Sequence, residues 1–294
     1  MPRPNSAFVV SLTPFTERGA LDEPGLRAHL QRLGRSGIGV YVAGSGSGEG
    51  YTLTIPERRR VMEIAAEELA GTVPVRVMGV EPRTAAEAIA LGVETTAAGL
   101  DAMQLYSLDM GHGYQPRREE VQRYLFSVLD AVDCPVVVST HQSVGYHYRA
   151  DLLDDVVSRY EQVIGINVTS GDIGYLAEVV DVIGGRVEVH VGGPMHALTA
   201  VALGAQGYLS SEGNLAPRLC TSLFDRPEVF AQLIRVFRLT QAAGGIVGTK
   251  AALRAFDAPG GWPREPRLDP AAASVDALVE LLRSSGLAEA EGLV

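Results

Sequence analysis

Val163-Ile164-Gly165-Ile166-Asn167-Val168-Thr169-Ser170-Gly171-Asp172 reads as a short buried strand over 163–167, with Asn167 at its C-terminal end, then a polar turn and a helix beginning near Ile173. A short apolar run bounded by turn residues suits a strand of parallel sheet covered on both faces. The same unit recurs upstream, with strands at 7–12, 38–43, 73–79, 101–106 and 135–139 alternating with helical patterns at 23–34, 56–69, 84–98, 117–132 and 150–160. Downstream the helix runs to 183, and strand 187–191, helix 195–203 and strand 207–210 follow. Strands that alternate with helices, and number eight, predict an α/β protein of the (β/α)8 TIM-barrel class. Beyond about 225 only helical patterns remain, at 228–242, 247–256 and 273–285. The expected organisation is a barrel over 1–224 and additional C-terminal helices over 225–294.

Composition narrows the function. With 46% hydrophobic and 20% charged residues in 294, the chain has the make-up of a globular protein with a large core. A net charge of −10, with arginines spread along helices, argues against nucleic acid as a partner. No apolar run suits a membrane span, and Met1-Pro2-Arg3-Pro4-Asn5 lacks the apolar segment of a secretory leader, so a cytoplasmic location is expected. Cys134 and Cys220 form no metal-binding pair and read as buried apolar residues. Positive charge is almost all arginine, and Lys250 is the single lysine.

A barrel of this class carries its active site at the C-terminal ends of the strands. After strand two comes Gly44-Ser45-Gly46-Ser47-Gly48-Glu49-Gly50, where small residues would let the backbone approach a phosphate or carboxylate. A plain flexible turn is the alternative. His112, His141, His147, His190 and His196 lie at or just after strands four, five and seven, and Asp109 shares a loop with His112. These groups suit acid–base work or a divalent metal, although separate hydrogen-bonded loop histidines fit the spacing too. Tyr106, Tyr114, Tyr146 and Tyr148 are candidate proton relays or packing residues. Arg76 and Glu188 interrupt strands three and seven and need partners.

Read together, these stretches resemble the family of dihydrodipicolinate synthase and N-acetylneuraminate lyase. The resemblance rests on Ser11-Leu12-Thr13-Pro14-Phe15, on Gly44 to Glu49 with Thr52-Leu53-Thr54 and Glu57-Arg58-Arg59, and on the strand-six stretch with Ser170-Gly171-Asp172. Ala202-Leu203-Gly204-Ala205-Gln206-Gly207, Asn214-Leu215-Ala216-Pro217 and Lys250-Ala251-Ala252-Leu253 extend it over most of the chain. Members hold a 2-oxo acid as a Schiff base on a lysine at the end of strand six. Asn167 stands at that position, and an amide is no nucleophile. Ser139-Thr140-His141-Gln142 replaces the Tyr-Asn-Val-Pro run that carries a relay tyrosine, the following arginine falls at about Val144, and the paired threonines become Gly46-Ser47.

The resemblance therefore implies a divergent, lyase-like enzyme (aldolase or dehydratase type) that takes a small carboxylate, a 2-oxo acid, without a lysine Schiff base. Asn167, His141, His112, Asp109 and Tyr106 are the candidate catalytic residues. Ser45, Gly46, Ser47, Gly48, Glu49, Ser139 and Ser210 are the candidate binding residues. No cofactor is required, a divalent metal is compatible, and its ligands are unknown. A homotetramer or homodimer is implied. The alternative is a non-catalytic binding or regulatory protein that kept the pocket.

Overall fold

Eight parallel strands close into a barrel in chain order. They are β1 (Ser6–Val10), β2 (Gly39–Val42), β3 (Val75–Val77), β4 (Ala102–Leu105), β5 (Val136–His141), β6 (Val163–Thr169), β7 (Glu188–Gly192) and β8 (Gly207–Ser210). Between them lie α1 (Glu23–Arg35), α2 (Ile55–Leu69), α3 (Ala85–Ala98), α4 (Arg118–Leu129), α5 (Ala150–Arg159), α6 (Ile173–Ile183) and α7 (Ala197–Leu203). This is the barrel expected from the alternation, with α9 (Phe230–Ala242), α10 (Ile246–Arg254) and α11 (Ala272–Ser284) as the additional C-terminal helices. Two further short helices, α8 (Pro217–Ser222) and α12 (Leu287–Ala290), were not expected. The computed structural model describes residues 5–294, so most of the stretch that lacks a leader-like segment lies outside the described residues. Among the described residues no helix is long and apolar enough to cross a membrane.

Local signals place the helices. Asp172 is the N-cap of α6, and its carboxylate accepts the backbone N–H groups of Gly174 at 2.8 Å and Tyr175 at 3.2 Å. Thr54 and Glu57 form a capping box at the start of α2. Both strands around the opening stretch run further than their apolar residues suggest. Pairing between β5 and β6 continues through Ser139↔Asn167, Thr140↔Val168 and His141↔Thr169, so Asn167 lies two residues inside its strand instead of at the end. Backbone hydrogen bonds to a neighbouring strand, and not side-chain polarity, set where a strand stops.

Chain contacts divide the molecule into two compact units, residues 76–209 and residues 6–75 with 210–294. In the first unit, the Asn167 amide Nδ2 donates to Gln104 Oε1 at 2.6 Å. That bond joins β6 to β4 past the intervening β5, so both side chains point into the barrel. Alternation and register then put Ser139, His141, Glu188 and His190 on the same inner face. Arg76 on β3 reaches Glu188 on β7 at 3.0 Å, which answers the need of each strand charge for a partner. Val136, Val138, Ile166 and Val168 occupy the opposite face and are fully buried. Strands that read as apolar runs are thus alternating strands whose inner face is polar.

The second unit is tied by Asn214. Its Oδ1 accepts from Leu12 N and from His29 Nε2, both at 2.9 Å, and its Nδ2 donates to Val10 O and Ser211 O, both at 2.9 Å. Arg32 of α1 donates to the Asn214 carbonyl at 2.7 Å and also to the carbonyl of Leu215. The Asn214-Leu215-Ala216-Pro217 stretch therefore anchors α1, and Pro217 opens α8 where its missing N–H costs nothing.

Burial holds His29 neutral by lowering its pKa to about 3, with Arg32 adding to the effect, and burial lowers that of His190 to about 4. The unfolded chain takes up these protons near 6.5 and the native state does not, so stability is full above pH 6.5 and is lost as the pH falls towards 4. Each group contributes a slope of about 1.4 kcal/mol per pH unit in that window. Urea unfolding from pH 7 to 4.5 should show the decline, and His29→Gln should reduce its slope; an unchanged slope in that variant would contradict the assignment.

Candidate active site

The exit of β4, β5 and β6 gathers four of the expected residues. Asn167 is 2% exposed and is flanked in register by Ser139 on β5 and His190 on β7. His141 stands two residues beyond Ser139 on the same face, about 7 Å further along the strand. The Tyr106 ring meets the His141 ring edge-on, with centroids 6.0 Å apart. A small ligand resting on Asn167 and Ser139 would lie within reach of the imidazole.

His141 is held from one side. Its Nδ1 accepts the backbone N–H of Ser143 at 3.0 Å and lies 2.7 Å from the Ser143 hydroxyl. That hydroxyl is also 3.2 Å from Glu81 Oε1 on the loop after β3. Burial lowers the His141 pKa, partly opposed by Glu81, while His147 adds to the lowering. Gln104, Ser143 and Glu81 were missed in the sequence. Gln104 interrupts an apolar strand as Arg76 and Glu188 do, so the signal was present there; the other two carry none.

The tyrosines make a second set of contacts. The Tyr106 carbonyl accepts from Tyr124 at 2.9 Å and from Tyr148 at 3.3 Å, and Tyr146 donates to Leu108 O at 2.9 Å. These phenols pin the backbone leaving β4. Burial raises the pKa of Tyr146 and of Tyr148 and keeps both phenols protonated at neutral pH. Tyr114 donates to Glu120 at 3.0 Å at the surface. His147 stacks on Tyr175, with centroids 4.7 Å apart, and lies 3.3 Å from Thr140 Oγ1.

Asp109 and His112 stand apart from this group. They line an open cleft of about 380 Å³ with Arg83, Met110 and Gly111, and the side chain of Asp109 accepts the N–H of Gly111 at 2.9 Å. His112 is exposed, in the left-handed region at φ 52°. Among the described residues no group of three or more His, Cys, Asp or Glu side chains gathers as a metal site. The pairing of His112 and Asp109 with His141 as metal ligands is not supported.

In the second unit the Gly44–Gly50 loop folds on itself. A Cβ on Gly50 would come within 2.3 Å of Ala43 O, and one on Gly48 within 2.6 Å of Gly44 N. Those two glycines are required by the turn and not by a ligand. Gly46 is exposed, Ser45 half-buried and Ser47 8% exposed. Glu49 is engaged within the protein. Its Oε2 is ion-paired with Lys250 Nζ and its Oε1 accepts from Arg264 N at 3.1 Å, with both side chains of the pair fully buried. Ser210 is engaged as well: its hydroxyl donates to Glu212 at 3.0 Å and accepts from Gly213 N at 3.0 Å.

Lys250 spends all three donors inside the protein, on Glu49, on Thr13 O at 2.8 Å and on Trp262 O at 3.0 Å. Its ammonium also lies 4.7 Å from the centre of the Phe15 ring, and the Arg264 guanidinium covers the same ring at 4.1 Å. Burial lowers the lysine pKa to about 8, opposed by Glu49.

Comparison with known proteins places this geometry. The family model described as the dihydrodipicolinate synthetase family matches residues 4–267. The chain is 30% identical over 221 residues to a 4-hydroxy-tetrahydrodipicolinate synthase of Protochlamydia amoebophila, covering 74% of this chain and 72% of that one. It is 27% identical over 292 residues to an uncharacterized DapA-like lyase of Rhizobium meliloti, covering 95% of each. YagE of E. coli K12, a prophage protein solved in complex with pyruvate, has the same fold, with a TM-score of 0.86 at 22% identity over 96% of this chain and 99% of that one.

Removing Lys250 leaves the Glu49 carboxylate buried without its cation. Lys250→Met should lower stability in urea by about 3–5 kcal/mol, and adding Glu49→Gln should recover part of the loss. A single variant as stable as the parent would show that the pair does not hold the loop.

Proposed function

Because the chain belongs to the dihydrodipicolinate synthetase family, we propose that it is a lyase which acts on a small carboxylated 2-oxo compound without forming a Schiff base on lysine. The observation that carries this reading is the state of the only lysine: Lys250 is 0% exposed and its three N–H groups are all bound within the protein. An attacking amine needs a free lone pair and access to the carbonyl carbon, and Lys250 offers neither. Asn167 supplies an amide whose nitrogen lone pair is delocalised, so no imine forms there. The pyruvate bound by YagE supports a 2-oxo acid as the substrate class.

An imine is an electron sink for the carbanion made in aldol chemistry. Without it, the substrate oxygen itself must take the negative charge. One well-placed neutral donor stabilises such an oxyanion by about 3–4 kcal/mol, so several must act together. Asn167, Ser139 and His141 are the groups proposed for this. A homotetrameric or homodimeric assembly is part of the same reading, and sedimentation measures it.

Borohydride added with pyruvate should leave the intact mass unchanged, and an adduct mapped to Lys250 would overturn the mechanism. In a screen of 2-oxo acids with and without aldehydes, His141→Ala should lower kcat/KM by about 10²-fold or more. Turnover unaffected in that variant would move the site away from the β5 exit.

A further inference from the structure

We propose that His141 works as a neutral imidazole locked with its proton on Nε2, donating a hydrogen bond to the carbonyl oxygen of the substrate, and that Ser143 is the positioning residue that locks it. The inference rests on the proposed function above and deepens it, since it names the group that takes over the charge an imine would have carried.

The geometry distinguishes the two ring nitrogens. Nδ1 accepts a backbone N–H, that of Ser143, at 3.0 Å. A backbone amide cannot turn round to become an acceptor, so a proton on Nδ1 would face another proton. The neutral ring must therefore carry its hydrogen on Nε2. The Ser143 hydroxyl, at 2.7 Å from the same nitrogen, donates to it or, at 3.2 Å, to Glu81. While the amide faces Nδ1, the doubly protonated ring is disfavoured. The lowered pKa of His141 agrees with this. The groups that face the ring are Glu81, Ser143, His147 and Tyr106.

Nε2 has no hydrogen-bond partner among the described residues, whereas the other buried imidazole of this inner face, His190, lies deeper on β7. A free Nε2–H on the same inner face as Asn167, two residues further along the strand pair, is a donor to a developing oxyanion. A general base would need the opposite tautomer, with an unprotonated Nε2. The lock therefore assigns His141 as an electrophile, and it leaves proton abstraction to another group. In aldol cleavage, solvent takes the proton of the β-hydroxyl and that oxygen forms the carbonyl of the departing aldehyde as the carbon–carbon bond breaks. The electrons of that bond move onto the substrate carbonyl oxygen to give the enolate, whose charge the Nε2–H holds without transferring its proton, and water then protonates the enolate carbon.

The test uses the full-length protein labelled with 15N histidine. Long-range 15N–1H spectra between pH 5 and 9 report the tautomer and titration of His141 directly, and pyruvate is the probe. The expected result is an Nε2–H tautomer that stays neutral down to below pH 6, with pyruvate shifting Nε2 and not Nδ1. Ser143→Ala keeps the backbone N–H and should leave the Nε2–H tautomer in place, and Glu81→Gln, which removes the carboxylate that favours the charged ring, should lower the pH at which His141 titrates without loss of fold. His141→Gln, which keeps a donor, should retain at least ten times the activity of His141→Ala. A proton on Nδ1, an ordinary titration near 6.5, or equal activity of the two variants would overturn the assignment. A locked Nε2–H with no response to pyruvate would support the lock and count against the 2-oxo acid as substrate, which separates the two readings.

Discussion

A charge in a protein interior must be met by another charge and by enough hydrogen bonds to replace its water. Lys250 and Glu49 obey this constraint together, each fully buried. The ammonium is completed by the carbonyls of Thr13 and Trp262, and the carboxylate by the Arg264 amide. Phe15 lies between the Lys250 and Arg264 cations, and Arg264 continues to Glu57 at 2.6 Å, the residue that caps α2. One ion pair thus secures the β1 exit, the Gly44–Gly50 loop, the start of α2 and the C-terminal segment from α10 to Arg264. The same constraint engages all three N–H groups of the only side-chain primary amine.

A second consequence of paired burial appears inside the barrel. Arg76 with Glu188, and Asn167 with Gln104, bridge strands that are not neighbours. These contacts tie together the strands that carry them, with Ser139 level with Asn167 and with His141 and Tyr106 further along towards the strand exits. The proposed reaction without a covalent intermediate would depend on fixed dipoles more than one with an imine does, because the stabilising groups must already be oriented when charge develops. The inner polar layer is a physical means of fixing them.

Much of the fold was legible. The short apolar runs and the caps at Thr54 and Asp172 are local signals, and they place strands and helices within a few residues. The site was legible in part. Asn167, Ser139 and His141 were singled out because they lie toward strand ends, and register puts them on one inner face. Glu49 and Ser210 were assigned to a ligand, and they instead serve the protein, since their partners Lys250 and Glu212 become neighbours only through folding. His112 and Asp109 were grouped with His141 by loop position, a criterion blind to the direction in which a loop leaves the strand. Glu81 was out of sight because nothing near it in the chain marks it as a partner of Ser143.

The order of strands and helices, the absence of any lysine but Lys250, and the amide at position 167 were determined by the sequence alone, because periodicity and residue chemistry are properties of the chain. Tertiary structure decided that Lys250 is engaged and buried, that the polar strand residues face inward, and that the Ser143 amide faces Nδ1 of His141. Those facts depend on distances between groups far apart in the chain or on the exact path of a turn. Hydrogen bonds act over about 3 Å, and only the folded chain brings groups to that range.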